Sequence, residues 1–241
     1  MLFSTLTTAI VLTASVNALP WPGKQTPYSP ANNLDNLVKL YPKSALPSPD
    51  GLALKYVFLG VGTQNYTCTT GDPSVAPGTT GALATLYDIG TRLNNDRMAQ
   101  LKINSISPLA LSLNEWAPSL LDMSLWSQGY EHVTGHHFFS MVEGNNTPTF
   151  SLDKLSAPFP VAQVAKLNAT DAPQSACPSK DGLPAVQWLY LKDQSRLSRG
   201  GIDTVYRVET AGGNKPATCK GMKPSWEVKY SAQYWVFGPK E

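Results

Sequence analysis

The chain has 241 residues, a formal net charge of +2, and only 15% Asp, Glu, Lys and Arg. Charges of both signs are interspersed and no basic cluster forms, which argues against nucleic acid or an anionic membrane surface as a partner. With 42% hydrophobic residues the composition is globular, and the length suits one large all-β domain or two small ones.

The N-terminus carries an apolar run from Leu2 to Leu12, then Val16-Asn17-Ala18. That layout predicts a secretory signal peptide over 1–18, cleaved after Ala18. The run falls short of the roughly 20 apolar residues that span a bilayer, and nothing later is longer, so no membrane span is expected. Secretion implies an extracellular or cell-wall location.

Residues 19–44 form a leader. Its segment 22–33 is extended, and Asn33 then caps a short helix in which Leu34, Leu37, Val38 and Tyr41 share a face before Pro42. The domain proper is expected over 45–241. Its first strand is LKYVFLGVGTQNYTC at 54–68. Tyr56, Phe58, Gly60, Gly62, Gln64, Tyr66 and Cys68 fall on one face, and Val57, Leu59 and Val61 on the other. Two glycines within a strand mark a bend, a bulge or a close backbone approach. Gly60-Val61-Gly62 also invites a dinucleotide reading, but position 65 is Asn and no helix follows, so no nucleotide cofactor is expected.

Residues 69–81 read as a loop, and GALATLYD at 81–88 as a strand. Thr91 to Asn104 fits either helix or strand. A hairpin is expected within 129–150, turning at Gly144-Asn145-Asn146. The Pro-bearing stretch 156–184 reads as a long surface loop. AVQWLYL at 185–191, the alternating run at 204–210 and that at 228–237 complete a set of strands with one apolar and one mixed face, which suits an antiparallel sheet. The predicted fold is all-β: a single antiparallel β-sandwich or open barrel with a few short helices.

Few residues carry assembled chemistry. His132, His136 and His137 match no metal-ligand spacing, and no metal site is expected. There is no G-x-S-x-G elbow and no H-E-x-x-H. Asp203 and Glu209 are the only suggestion of a glycosidase pair. Trp188, Trp226 and Trp235 offer either a sugar-stacking platform or core. His137, Trp188, Tyr206 and Trp235 are taken as candidates for a ligand face.

Three cysteines in an oxidising compartment imply one bridge and one spare thiol, or an intermolecular pair. Cys68 and Cys219 each end a strand-like run beside a loop and form the favoured pair, with Cys177–Cys219 as the alternative. The sequons at Asn145 and Asn168 lie in loop-like surroundings and are expected to be glycosylated, whereas that at Asn65 falls within a strand.

GVGTQNYTC (60–68), GHHFF (135–139), AVQWLYL (185–191), VYRVETAGG (205–213) with Cys219, and YSAQYW (230–235) together resemble a family of secreted fungal and bacterial proteins known only as a domain of unknown function. The resemblance runs over about residues 45–237. Fungal members often carry an automatic malate dehydrogenase label, which nothing at Gly60 and Gly62 supports. The resemblance implies cysteines matching Cys68 and Cys219 and a histidine matching His137, and it brings no catalytic residues. The expected protein is a disulfide-stabilised extracellular binding module for a cell-wall polysaccharide or surface glycan. The alternative is a secreted hydrolase with its site near His137.

Overall fold

The computed structural model describes residues 27–240; the expected signal peptide and the first part of the leader lie outside the described residues. Nine strands follow one another as β1 (Leu52–Thr67), β2 (Gly78–Asp88), β3 (Val133–Val142), β4 (Asn145–Ser151), β5 (Val161–Gln163), β6 (Ala165–Thr170), β7 (Trp188–Lys192), β8 (Thr204–Gly212) and β9 (Ser225–Pro239). Three helices, α1 (Gly90–Leu93), α2 (Ala99–Trp116) and α3 (Pro118–Gln128), separate β2 from β3.

All strands belong to one antiparallel sheet in the order β5-β4-β3-β2-β1-β9-β8-β7-β6. The strands at its two ends are neighbours in the chain, separated by Val164 alone. A flat sheet could not join them, so the sheet curls into a nearly closed barrel. Val161 exchanges two backbone hydrogen bonds with Arg199 (3.1 and 2.8 Å), and the Gln163 amide donates to Ser198 Oγ at 3.0 Å. The β7–β8 connection thereby braces the short strand β5. Of the two predicted architectures, the barrel is the one formed.

The interior is filled by Phe58, Leu86, Phe150, Val205, Tyr230, Tyr234 and Val236. Val57, Leu59, Val61, Val208, Trp235 and Phe237 point outward from the same strands and would be wet in a bare barrel. They are covered instead by α2, α3 and residues of the leader. In α2 the buried residues Ala99, Ile103, Ile106, Ala110 and Leu111 recur at helical spacing. Gln233 Nε2 and Ser231 Oγ on β9 donate to the α2 carbonyls of Ile103 and Ser107. The leader contributes Leu34 and Leu37, and Tyr41 makes edge contacts with Tyr206 and Trp235 at 5.3 and 5.4 Å. Its Tyr28 hydroxyl donates to the buried Asp88 carboxylate at 2.6 Å, and Asp88 also accepts from the Thr91 amide and hydroxyl.

Four expectations change in detail. The ambiguous stretch 91–104 is helical at both ends, in α1 and α2, with turns over 94–98 between them, and the helices are not all short, since α2 has 18 residues. The stretch 156–184 is not simply loop, because it contains β5 and β6. The leader helix is a single 3-10 turn at Leu37–Leu40. The hairpin expected within 129–150 forms, but it turns at Glu143-Gly144, and Asn145 and Asn146, expected in the turn, already pair with Val142 and Met141 as part of β4.

Candidate functional site at the open end of the barrel

The β1–β2 and β8–β9 connections meet at one end of the barrel. Cys68 and Cys219 form a disulfide between them, with Cα atoms 5.8 Å apart, and Cys177 is free. Cys68 N donates to Pro224 O, Cys219 N to Val75 O, and Lys215 Nζ to Pro77 O. Beneath this tied rim lies a cavity of about 820 Å³. It continues along the seam beside β5 and β6. Its walls combine Tyr66, Phe139, Leu189 and Leu191 with Asn146, Gln163, Gln187, Asp171, Arg207 and Lys215.

Strand β1 lines the cavity with Gln64 and Tyr66, which follow two glycines on the same interior face. Gly60 leaves room for the Tyr234 ring: a Cβ there would stand 2.4 Å from Tyr234 Cε2. Gly62 lets β1 and β2 approach so closely that a Cβ would lie 1.8 Å from the Leu83 carbonyl oxygen. Next on the same face come Gln64 and Tyr66, and the Tyr66 hydroxyl donates to Gly213 O at 2.6 Å. Both glycines therefore serve packing within a strand, and no helix N-terminus follows them to receive a phosphate.

Deeper in, the Tyr230 and Tyr234 hydroxyls are 2.7 Å apart. Burial raises the pKa of both, so both are neutral phenols. His137 stacks on Phe150 with ring centroids 4.2 Å apart, and its Nδ1–H donates to Thr149 O at 3.0 Å. Burial pushes its pKa down to about 4, the Thr149 hydrogen bond opposes that shift, and the Arg207 charge adds to it. His137 is a neutral, packed histidine. No hydroxyl, thiol or carboxylate side chain hydrogen-bonds to it among the described residues.

A pH dependence follows. In the unfolded chain His137 takes up a proton near pH 6.5, while in the fold it does so only near pH 4. Its contribution to stability is complete above about pH 6.5 and is lost as the pH falls towards 4, where it levels off. The loss is up to about 3 kcal/mol. Urea unfolding of wild type and His137→Phe between pH 7.5 and 4 is expected to show this component in the wild type only; parallel curves would contradict it.

The four predicted ligand-face residues do not share a face. His137 is inside the barrel, whereas Trp188, Tyr206 and Trp235 belong to the outer layer beneath the leader, at 4%, 1% and 0% exposure. Trp226 stands apart from these, against Tyr66 at 5.8 Å. Asp203 precedes β8 and accepts from Thr204 Oγ1 at 2.8 Å, whereas Glu209 sits at the bulge of β8 with φ 47°, and no hydrogen bond or shared partner joins the two carboxylates among the described residues. His136 pairs with Asp153 at 3.1 Å, and no cluster of metal-ligating side chains occurs among the described residues. Asn145 and Asn168 are exposed and Asn65 is half-buried.

The sequence reading singles out neither Gln64 nor Arg207. Their signal is nonetheless present, as polar residues on faces shared with Phe58 and Val205, both of which turn out to be interior.

A nearly closed antiparallel barrel, bridged by a disulfide at its open end and enclosing a ligand-sized cavity, defines a disulfide-tied β-barrel protein. The chain belongs to the DUF3455 family, described as proteins of unknown function, which matches residues 47–238. No curated protein and no solved structure matches it significantly.

Proposed function

We propose that this protein is a secreted binding module that takes a glycan into the open end of its barrel. The cavity carries this reading. Rings such as Tyr66 and Phe139 suit the apolar face of a sugar, and the amides and carboxylates of Asn146, Gln163, Gln187 and Asp171 suit its hydroxyls. The N-terminal apolar run and small-x-small site support export, and the Cys68–Cys219 bridge is of the kind that persists in oxidising surroundings. Exposed sequons at Asn145 and Asn168 fit the same compartment.

The test is retention on insoluble chitin, glucan and mannan, followed by titration with soluble oligosaccharides of whichever polymer retains the protein. Retention is expected, and Phe139→Ala is expected to weaken it by roughly three- to tenfold through loss of ring stacking. Passage through all three polymers, with no uptake of any soluble oligosaccharide, would remove the glycan reading.

A further inference from the structure

We propose that the inner wall of the cavity is a carboxylate subsite, in which Arg207 and Gln64 bind an anionic oxygen pair of the ligand and Lys215 adds charge at the rim. The inference rests on the glycan reading for the ligand's body, and it makes that ligand acidic.

The first observation is a guanidinium without a counter-ion. Arg207 Nε and Nη2 both donate to the Gln187 carbonyl, at 3.1 and 2.9 Å. A guanidinium offers five N–H donors, so this carbonyl and the neighbouring Tyr234 hydroxyl leave part of its fork unused. Arg207 makes no ion pair among the described residues. Its charge nevertheless bears on His137, Tyr230 and Tyr234, all of them buried in the barrel. The positive charge therefore faces inward, towards groups that are neutral.

The second observation is independent. Gln64 is only 5% exposed, lines the cavity, and its Nε2 has no hydrogen-bond partner. Gln64 lies close enough to Tyr230 to ease its ionisation slightly, but no hydrogen bond of normal geometry joins them. A buried amide N–H without an acceptor is a cost the fold carries until a ligand oxygen relieves it. Both groups are donors, and the phenols beside them can donate or accept. What such a wall lacks is an acceptor with two oxygens and a negative charge, and a carboxylate supplies it with the geometry a guanidinium prefers.

The acids around the cavity do not fill that role. Asp193 accepts from the Ser195 and Ser198 amides at 2.9 and 2.8 Å, within its own loop. Asp171 accepts from Gln187 Nε2 at 2.9 Å. Glu143 is exposed in the β3–β4 turn.

Calorimetric titration of the full chain with a uronic-acid oligosaccharide and with its methyl-esterified counterpart tests the subsite. The ester keeps the sugar rings and removes only the charge. The acid is expected to bind about tenfold or more tightly than the ester, and Arg207→Gln to abolish that difference. Gln64→Leu is expected to weaken the acid selectively. Because the acid-to-ester comparison uses the wild-type protein, it holds even where a variant fails to fold. Equal binding of acid and ester, or an Arg207→Gln protein that keeps the preference, overturns the proposal. Where neither saccharide binds, the glycan reading stands or falls on retention by chitin, glucan and mannan, and an aryl-alkanoic acid set against its amide decides the subsite. Preference for the acid then upholds the subsite with a non-sugar carboxylate; no preference overturns it.

Discussion

Replacing Cys219 with Ser is expected to lower stability by up to about 5 kcal/mol on the chain-entropy account of cross-links. That corresponds to a fall in Tm of about 10–20 °C for a chain of this size. The magnitude follows from sequence separation: Cys68 and Cys219 are 151 positions apart, so breaking the bridge frees a very long loop in the unfolded chain. The folded strands lose little, because β1 still pairs with β9 over nearly its whole length, from Leu52 with Pro239 to Thr67 with Ser225. Asn214 and Lys215 of the bridged β8–β9 loop line the cavity, so affinity for ligand should fall along with Tm. Differential scanning calorimetry of wild type, Cys219→Ser and Cys177→Ser checks this, with Cys177→Ser close to wild type because that thiol makes no bridge. A Cys219→Ser transition within a degree or two of wild type would show that the rim is held by its other contacts.

The second large effect is expected at Gly62. An Ala there would place its Cβ 1.8 Å from Leu83 O and 2.7 Å from Ala84 Cα. Both are backbone atoms of the paired strand, so no side chain can rotate out of the way and β1 and β2 must separate. A cost of about 3 kcal/mol is expected, at the upper end of what overpacking does. Gly60→Ala meets the Tyr234 ring instead. That ring is 1% exposed and hydrogen-bonded to Tyr230, so its freedom to yield is limited, and a cost of about 2 kcal/mol is expected. Urea unfolding monitored by circular dichroism ranks the two. An order with Gly60→Ala the more costly would mean that the inter-strand approach at Gly62 relaxes more easily than the buried ring.

These two glycines also show how far local pattern reaches. Alternation over 56–66 and 228–237 assigns the faces of β1 and β9 correctly, because side-chain direction in a strand has a two-residue period; the bulge at Leu54/Tyr56 breaks it and turns Leu54 to the outer layer. It does not say which face is the barrel interior, because both faces of β9 are buried, one by the barrel and one by α2 and the leader. That is why the conspicuous aromatics Trp188, Tyr206 and Trp235 attract attention although they pack in the outer layer, while Gln64 and Arg207 pass unremarked. Pairing of Cys68 with Cys219 is legible because both sit where strands run out into loops. The helical pair α2 and α3 is hard to read because Pro108 sits inside α2, and because Trp116 and Trp126 remain largely exposed, which blurs the apolar stripe. Strands β5 and β6 are short and flanked by prolines, so nothing local distinguishes them from the loop around them; their register comes from β4 and β7.

The incomplete closure of the barrel has a consequence for how the molecule behaves at high concentration. Among the described residues strand β6 pairs only with β7, and its other side is a row of backbone amides and carbonyls that a strand from a second molecule could in principle adopt. Lys166 stands exposed on that row, and the pairing with β7 is interrupted between Lys166 and Asn168. Charge and irregularity are the usual means by which natural sheets discourage such recruitment. The exposed sequon at Asn168 falls on the same strand, so a sugar chain carried there would stand across the approach and keep neighbouring molecules from zipping onto the seam.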